Sequence, residues 1–409
     1  MKKHGMSGNT ESNPVPRWLV VSKDPNNGGE MDDGNENDMH GAFASVFSEN
    51  DDPLSQYSDQ FYEISADPFN YVIETVLKND ENIESEETLK SYRRTYDQWR
   101  DYMGGISDRH PACPKTEHVR SFIGWRRDVH NNTQRTIKGK ISRLSRTYEY
   151  WQRKENMPHP KSWNPFEVGS EEADFGTDPD KKYPDVDLDD LRAKFCDITN
   201  IRQQAIIGQQ LKHGLRATEI CNLKISEVHI SHQELQQEYP DLGSAKELGD
   251  HTNVVYIPSD RDGNKSTNPK LLPIDDELRW LLINQLLIRP NVDEPWVFLS
   301  KRSFTQMDAS GVNKEWKKAF HPEYAGTADL KPVTSHFGRH WFSSYWRLTE
   351  GMQREHVQYM RGDSIQPEES PPDTLDTYLH PKYAHIEDEY RQNIFKLNLA
   401  MQRDQVSTS

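Results

Sequence analysis

The chain has 409 residues, 66 of them acidic and 50 basic, which gives a formal net charge of −16 at pH 7. That length predicts two domains with tails, and a mean hydropathy of −0.96 fits a chain with no run near the roughly 18 apolar residues of a membrane span. Three scattered cysteines, Cys113, Cys196 and Cys221, exclude a disulfide framework or a zinc site of the usual spacing. The expectation is a reduced, cytoplasmic protein with no cofactor, no membrane segment and no apolar leader.

A negative net charge argues against a nucleic-acid partner until the charge is located along the chain. Residues 1–65 and residues 167–190 each sum to −8, which accounts for the whole imbalance. Between Arg93 and Lys154, 15 basic residues face 6 acidic ones. A local excess of that size is the footprint of a phosphate-binding surface.

Taken in order, residues 1–65 are rich in Asn, Asp, Glu, Gly and Ser and read as a disordered acidic tail, with a short helix around Phe43 to Phe47 as the alternative. Residues 66–166 carry a helical pattern. Leu89, Tyr92, Tyr96, Trp99 and Met103 recur at spacings of three and four. Val119, Phe122, Ile123 and Trp125 mark a second helix, and Ile137, Ile141, Leu144, Tyr148 and Trp151 a third. The aromatics on these stripes read as core. Arg93, Arg94, Arg126, Arg127, Arg135, Lys138, Lys140 and Arg143 lie largely off them and form the expected binding face.

Pro160, Pro165, Pro179 and Pro184 interrupt the acidic stretch that follows, and residues 167–184 read as an extended linker. The second domain spans residues 185–397. Leu188, Leu191 and Phe195 start one helix, and Ile201, Ala205, Ile206 and Leu211 continue in another that Gly214 ends. Residues 254–258 and 269–274 read as two strands, with turn residues 261–266 between them. Asp275 caps a helix carrying Leu278, Leu281, Leu282 and Leu286. Residues 296–299 read as a short strand, and Val312, Trp316 and Phe320 mark a further helix. Thr334 or Ser335 caps the helix that opens His336-Phe337-Gly338-Arg339-His340. Residues 386–401 are amphipathic, and residues 398–409 are assigned to a tail.

A His and an Arg three apart share one helical face. Such a face suits an anionic group, with the imidazole placed to move a proton and the guanidinium placed to hold two oxygens. Arg216, just after Gly214, supplies a second guanidinium, and Glu219 at i+3 is placed to orient it. Two arginines, a histidine, a lysine and a tyrosine are a set that cleaves a phosphodiester. The arginines neutralise the non-bridging oxygens, whose charge grows in the transition state. A tyrosine, with an ordinary pKa of about 10, must lose its proton to attack, and the leaving sugar oxygen must gain one.

The chain here resembles the tyrosine recombinases, or phage-type integrases, and most closely their archaeal members. Gly214-Leu215-Arg216-x-x-Glu219-Ile220-x-x-Leu223 is similar to the family's first box, His336-x-x-Arg339-His340 to its second, and Tyr378-x-His380 to its nucleophile segment. The likeness extends over roughly residues 70–397. It implies a mainly α fold with a small β-sheet: a SAM-like helical core-binding domain that clasps double-stranded DNA, then an α+β catalytic domain. It also implies Arg216, Lys265, His336, Arg339 and Tyr378 as catalytic residues, with Lys270 the alternative lysine and Tyr383 and Tyr390 the rival tyrosines. A 3′-phosphotyrosyl intermediate, a nucleoid location and a tetramer on paired sites, docked through the C-terminal helix, follow from the same likeness.

One segment departs from the family. Where its members usually place Leu-Gly-His or a Trp, giving a further donor to the phosphate, this chain has Arg361-Gly362-Asp363. A carboxylate accepts hydrogen bonds, so either another residue supplies the donor, with Arg361 the candidate, or the site works without it. The stretch from Asp363 to Tyr378 is also longer than usual. Two rival readings are a type IB topoisomerase and a non-catalytic DNA-binding regulator derived from a recombinase.

Overall fold

The computed structural model describes residues 52–80, 86–154, 157–364 and 382–399, and two hydrophobic cores organise them. Three helices build the first core: α1 (Glu86–Ile106), α2 (Thr116–Asp128) and α3 (Gln134–Arg153). Tyr96, Trp99, Phe122, Leu144, Tyr148 and Trp151 on the expected stripes are fully buried. A core this aromatic must also match its polar tips. Tyr96 Oη lies 2.6 Å from Thr147 Oγ1, and Trp99 Nε1 donates to the Pro111 carbonyl at 2.8 Å.

Order begins before residue 66. Leu54 and Phe61 are buried in the first core, and Phe61 sits in a short helix, Ser58–Glu63. Two apolar anchors in a polar stretch are too few to register as a period, yet they suffice to close one end of the bundle. Residues 1–51, with the helix expected near Phe43, lie outside the described residues.

The linker likewise starts later than residue 167. Helix α4 (Pro165–Glu171) packs on α2 and α3 with Phe166 fully buried. Pro165 stands in its first turn, where the missing N–H has no partner to lose, and the Asn164 side chain accepts from Phe166 N–H at 3.1 Å. A proline that bars a helix from crossing it also favours a helix starting at it. Further on, the Lys182 N–H donates to the Asp329 carbonyl at 3.1 Å and its carbonyl accepts from Lys331 N–H at 2.7 Å, so the chain there lies along the second core.

That core gathers α5 (Leu188–Cys196), α6 (Ile201–His213), α7 (Ala217–Cys221), α8 (Asp276–Leu287), α9 (Ala309–Phe320), α10 (Ser335–Ser344), α11 (Arg354–Arg361) and α12 (Tyr383–Asn393). Helix α6 is its axis, packed by α8, α9 and α10 and buried on every side from Gln203 to His213. Its polar residues are therefore matched internally: the Gln210 amide donates to the Leu215 carbonyl at 3.0 Å, and its oxygen accepts from the Trp316 indole. Strands β1 (Val228–His229), β2 (Val254–Ile257) and β3 (Lys270–Pro273) form one antiparallel sheet in that order, with Val255 opposite both Val228 and Leu272.

The strand expected at residues 296–299 is absent. Two isolated bridges, Lys224 to Trp296 and Leu299 to Gln306, stand in its place, although Val297 and Phe298 are fully buried. A short apolar run reads alike whether it is laddered or simply sunk in a core. The C-terminal helix ends at Asn393, short of the expected residue 401, and packs on its own domain through Tyr383, Ile386 and Tyr390. The segment after it is no tail at residue 398. The Leu397 and Leu399 N–H groups donate to the Glu277 carboxylate at 2.7 and 3.2 Å, while buried Lys212 donates to the Phe395 carbonyl at 3.0 Å and to Asp275 at 2.7 Å.

Candidate active site

The site begins at one turn. Helix α6 ends at Gly214, whose φ of +63° is left-handed and whose added Cβ would lie 2.5 Å from Phe342, so only glycine fits. Just before it, His213 is fully buried. Its Nε2 donates to the Pro273 carbonyl at 2.8 Å, and its Nδ1 lies 3.3 Å from the Gln209 amide. Both contacts suit the neutral ring, and burial holds the His213 pKa down at about 4.

Arg216 leads into α7, and the Glu219 carboxylate reaches back to its N–H at 2.7 Å, one half of a capping box. The other oxygen of Glu219 meets Lys270 Nζ at 3.1 Å and accepts from the Ser266 hydroxyl. Arg216 Nη1 in turn donates to Ser266 Oγ at 3.0 Å. Burial alone would raise the Glu219 carboxyl, but the charges of Lys270 and Arg339 and the bonds from Ser266 and Arg216 hold it below its usual value. Lys270 is fully buried and also donates to the Arg361 carbonyl at 2.9 Å. Burial, opposed by Glu219, brings its pKa down to about 8.

Arg339 arrives on α10 and fastens to the same turn: its Nη1 donates to the Gly214 carbonyl at 2.8 Å. Its Nη2 donates to the Arg361 carbonyl at 3.0 Å and to Asp363 Oδ1 at 2.7 Å. Arg216 Nη2 donates to that same Oδ1 at 3.0 Å. Two guanidiniums separated by more than a hundred residues thus converge on a single anionic oxygen. Burial, then the charges of Arg216 and Arg361, lower the Arg339 pKa to about 10, which leaves it cationic at neutral pH.

His336, one turn before Arg339, is exposed at the rim of a cleft of about 350 Å³ that Arg339, His340 and Arg361 also line. Partial burial, with the charges of Arg339 and Arg361 next, keeps its pKa below the ordinary value. Lys265 stands exposed in the connection between β2 and β3, with no hydrogen bond or ion pair among the described residues. Arg361 Nε approaches Asp363 Oδ2 at 2.8 Å without hydrogen-bond alignment, and its Nη1 donates to Ser343 at 2.9 Å. Tyr378 and His380 lie outside the described residues. Of the rival tyrosines, Tyr390 is fully buried and donates to the Lys212 carbonyl at 3.0 Å, and burial pushes the phenols of both Tyr383 and Tyr390 up. Sequence reasoning missed Ser266 as a hub, since nothing distinguishes it from any turn serine. Among the described residues no group of three or more His, Cys, Asp or Glu side chains is gathered to hold a metal ion.

On the first domain the expected basic residues separate into two sets. Arg93 pairs with Glu74 at 3.3 Å, and Arg127 with Asp128 at 2.7 Å and Asp174 at 2.6 Å. By contrast, Arg126 is buried against Asn132 at 2.9 Å, Lys140 is buried against Gln98 at 2.6 Å, and Arg143 donates to the Gly139 carbonyl at 3.1 Å. Burial, then the charges of Arg126, Arg94 and Arg143, bring the Lys140 pKa down to about 8. None of these three, nor Arg94, forms an ion pair with a described carboxylate. Arg135 and Lys138 are exposed on the same helix, α3.

This architecture is shared with DNA recombinases of known structure. The chain is similar to a lambda integrase tetramer solved on a Holliday junction, at 12% identity and a TM-score of 0.53, covering 82% of this chain and 88% of that one. It is likewise similar to the Tn1549 transposon integrase solved with transposon right-end DNA, at 14% identity and a TM-score of 0.53, covering 79% and 98%. No curated protein is close enough in sequence to match. Residues 188–366, the part that holds the arginine cluster, match the phage integrase family. That match covers less than half of the chain, and over it the second domain is similar to the phage integrases, or tyrosine recombinases.

Proposed function

We propose that the protein is a site-specific recombinase that cleaves and rejoins DNA through a 3′-phosphotyrosyl intermediate. One observation carries the assignment of the site: Arg216 and Arg339 converge on one carboxylate oxygen, the charge and place a non-bridging phosphate oxygen takes in such a site. Tyr378 is the nucleophile. Its oxygen bonds to phosphorus as the bond to the 5′ oxygen breaks, and no energy source is consumed because the phosphotyrosyl bond is conserved for rejoining. His336, kept neutral near pH 7 by its lowered pKa, accepts the phenol proton. Lys265 delivers a proton to the leaving 5′ oxygen. It is preferred to Lys270, whose ammonium is enclosed by Glu219 and the Arg361 carbonyl. Glu219 and Lys270 hold Arg216 in place, and Arg361 supplies the further donor.

Duplex DNA lies against the first domain at Arg94, Arg126, Arg135, Lys138, Lys140 and Arg143, with Arg93 and Arg127 at its margin. The side chains of the first six have no carboxylate partner among the described residues, and such a cationic group has the electrostatics that favour a polyanion. Copies assemble on paired sites. Docking through the C-terminal helix requires either its outward face or release of the contacts that seat it on its own domain.

A nicked suicide substrate, which loses its 5′ strand on cleavage, tests the reading. Wild type becomes covalently linked to DNA at Tyr378, and Tyr378→Phe does not. Duplex binding with no trapping at all would make the protein a non-catalytic regulator, and supercoil relaxation without strand exchange would make it a topoisomerase.

A further inference from the structure

Asp363 stands where the family places a donor to the phosphate, yet it can only accept bonds from the cations around it while it remains a carboxylate. Its setting is built rather than incidental. Helix α11 ends at Gly362, whose φ is +68° and whose added Cβ would lie 2.7 Å from Ser266 Oγ. The Thr267 N–H donates to the Gly362 carbonyl at 2.9 Å, and the Asp363 N–H to the Gln358 carbonyl at 3.0 Å. The turn is thereby locked to the β2–β3 connection and aims the carboxylate inward. Oδ1 then receives Arg216 at 3.0 Å and Arg339 at 2.7 Å, and Oδ2 faces Arg361 at 2.8 Å.

We propose that Asp363 is a positioning residue that occupies the phosphate slot of the DNA-free protein and yields it when the phosphodiester arrives. Three cations brought this close repel one another. A carboxylate among them offsets that repulsion and keeps both guanidiniums aimed at one point, so that the site is assembled before DNA binds. The same carboxylate competes with any anion for those N–H groups. Substrate must therefore displace it, which a backbone phosphate delivered by the surrounding duplex contacts achieves and a free anion does poorly. The proposal rests on reading the arginine pair as the phosphate site.

The test uses the full chain and tungstate, a phosphate-shaped oxyanion, with binding followed by calorimetry. Asp363→Asn keeps the shape and an accepting oxygen but removes the charge, and should bind tungstate about tenfold more tightly than wild type, as expected for removal of a charge that competes at contact distance. A residue that merely braces the arginines predicts the reverse, weaker binding, and equal or weaker binding overturns the proposal. Should Asp363→Asn fail to fold, Asp363→Ser, smaller and neutral, must show the same gain. Adding Arg339→Ala must abolish the gain, which ties it to the arginine pair. The outcomes also separate this inference from the recombinase reading. DNA trapping with no tungstate gain rejects only the role of Asp363, whereas a gain without trapping rejects only the recombinase.

Discussion

The two domains carry their positive charge in opposite ways. On the first, Arg126, Lys140 and Arg143 have amide or carbonyl partners and, like Arg94 beside them, no described carboxylate. In the second, Arg216, Lys270 and Arg339 are enclosed by Glu219 and Asp363. The first arrangement leaves charge seeking an external anion and tolerates imprecise approach. The second fixes direction, because a guanidinium that must meet a developing charge within a fraction of an ångström has to be held before the event. On the proposed function, the first holds DNA and the second acts on it.

The largest effect that tests this contrast is on stability. Glu219→Ala leaves the buried ammonium of Lys270 unpaired and should cost about 3–5 kcal/mol, read as a lower midpoint in urea unfolding. No single basic residue of the first domain should approach that. Next comes Arg339→Lys, which keeps a positive charge but loses the fork that joins the Gly214 carbonyl to the anion slot. Trapping on the suicide substrate should slow by about 10²–10³-fold while duplex affinity barely moves. A strong loss of affinity instead would mean that the second domain does the holding.

Acid treats both domains alike, and so serves as a control on the contrast. Among the described residues each core encloses one buried imidazole, His159 in the first and His213 in the second, whose pKa burial lowers to about 4. A histidine depressed on folding takes up its proton more readily when unfolded, so stability is intact above the ordinary value of about 6.5 and falls as pH drops toward 4. At pH 5 each should cost about 2 kcal/mol, and His213→Gln should flatten its share of the pH–stability curve. Activity should follow a different ionisation. Protonating His336 removes its capacity to accept the phenol proton, so the trapping rate should hold through pH 6.5 and decline only below it, given the lowered pKa. The smallest effect belongs to the first domain: Arg143→Ala should weaken duplex binding a few-fold and reduce the slope of log affinity against log salt by about 1, with the trapping rate at saturating protein unchanged.

Local signals were legible in the sequence, and contacts across the fold were not. The stripes of α1, α2 and α3, the Gly214 stop and the His336–Arg339 spacing all lie within a turn or two of chain, where periodicity and propensity speak directly. The meeting of Arg216 with Asp363 spans 147 residues and that of Lys270 with Glu219 spans 51, and no pattern encodes them. Helix α4 hid behind a proline that starts it. Residues 296–299 misled because burial without a ladder leaves the same trace as burial within one. The C-terminal run patterns as helix beyond Asn393 because Ile394, Phe395 and Leu397 are apolar, although they are seated as an extended strap over Asp275 and Glu277.

The Gly214 turn has a consequence for how the protein tolerates change. One short loop both launches Arg216 and grips Arg339 through its carbonyl, so the gap between the two side chains is gauged by a few covalent bonds and one hydrogen bond rather than only by the stacking of remote helices. A shift elsewhere in the bundle would carry both along together, like prongs on a common handle, and leave the spacing between them unchanged.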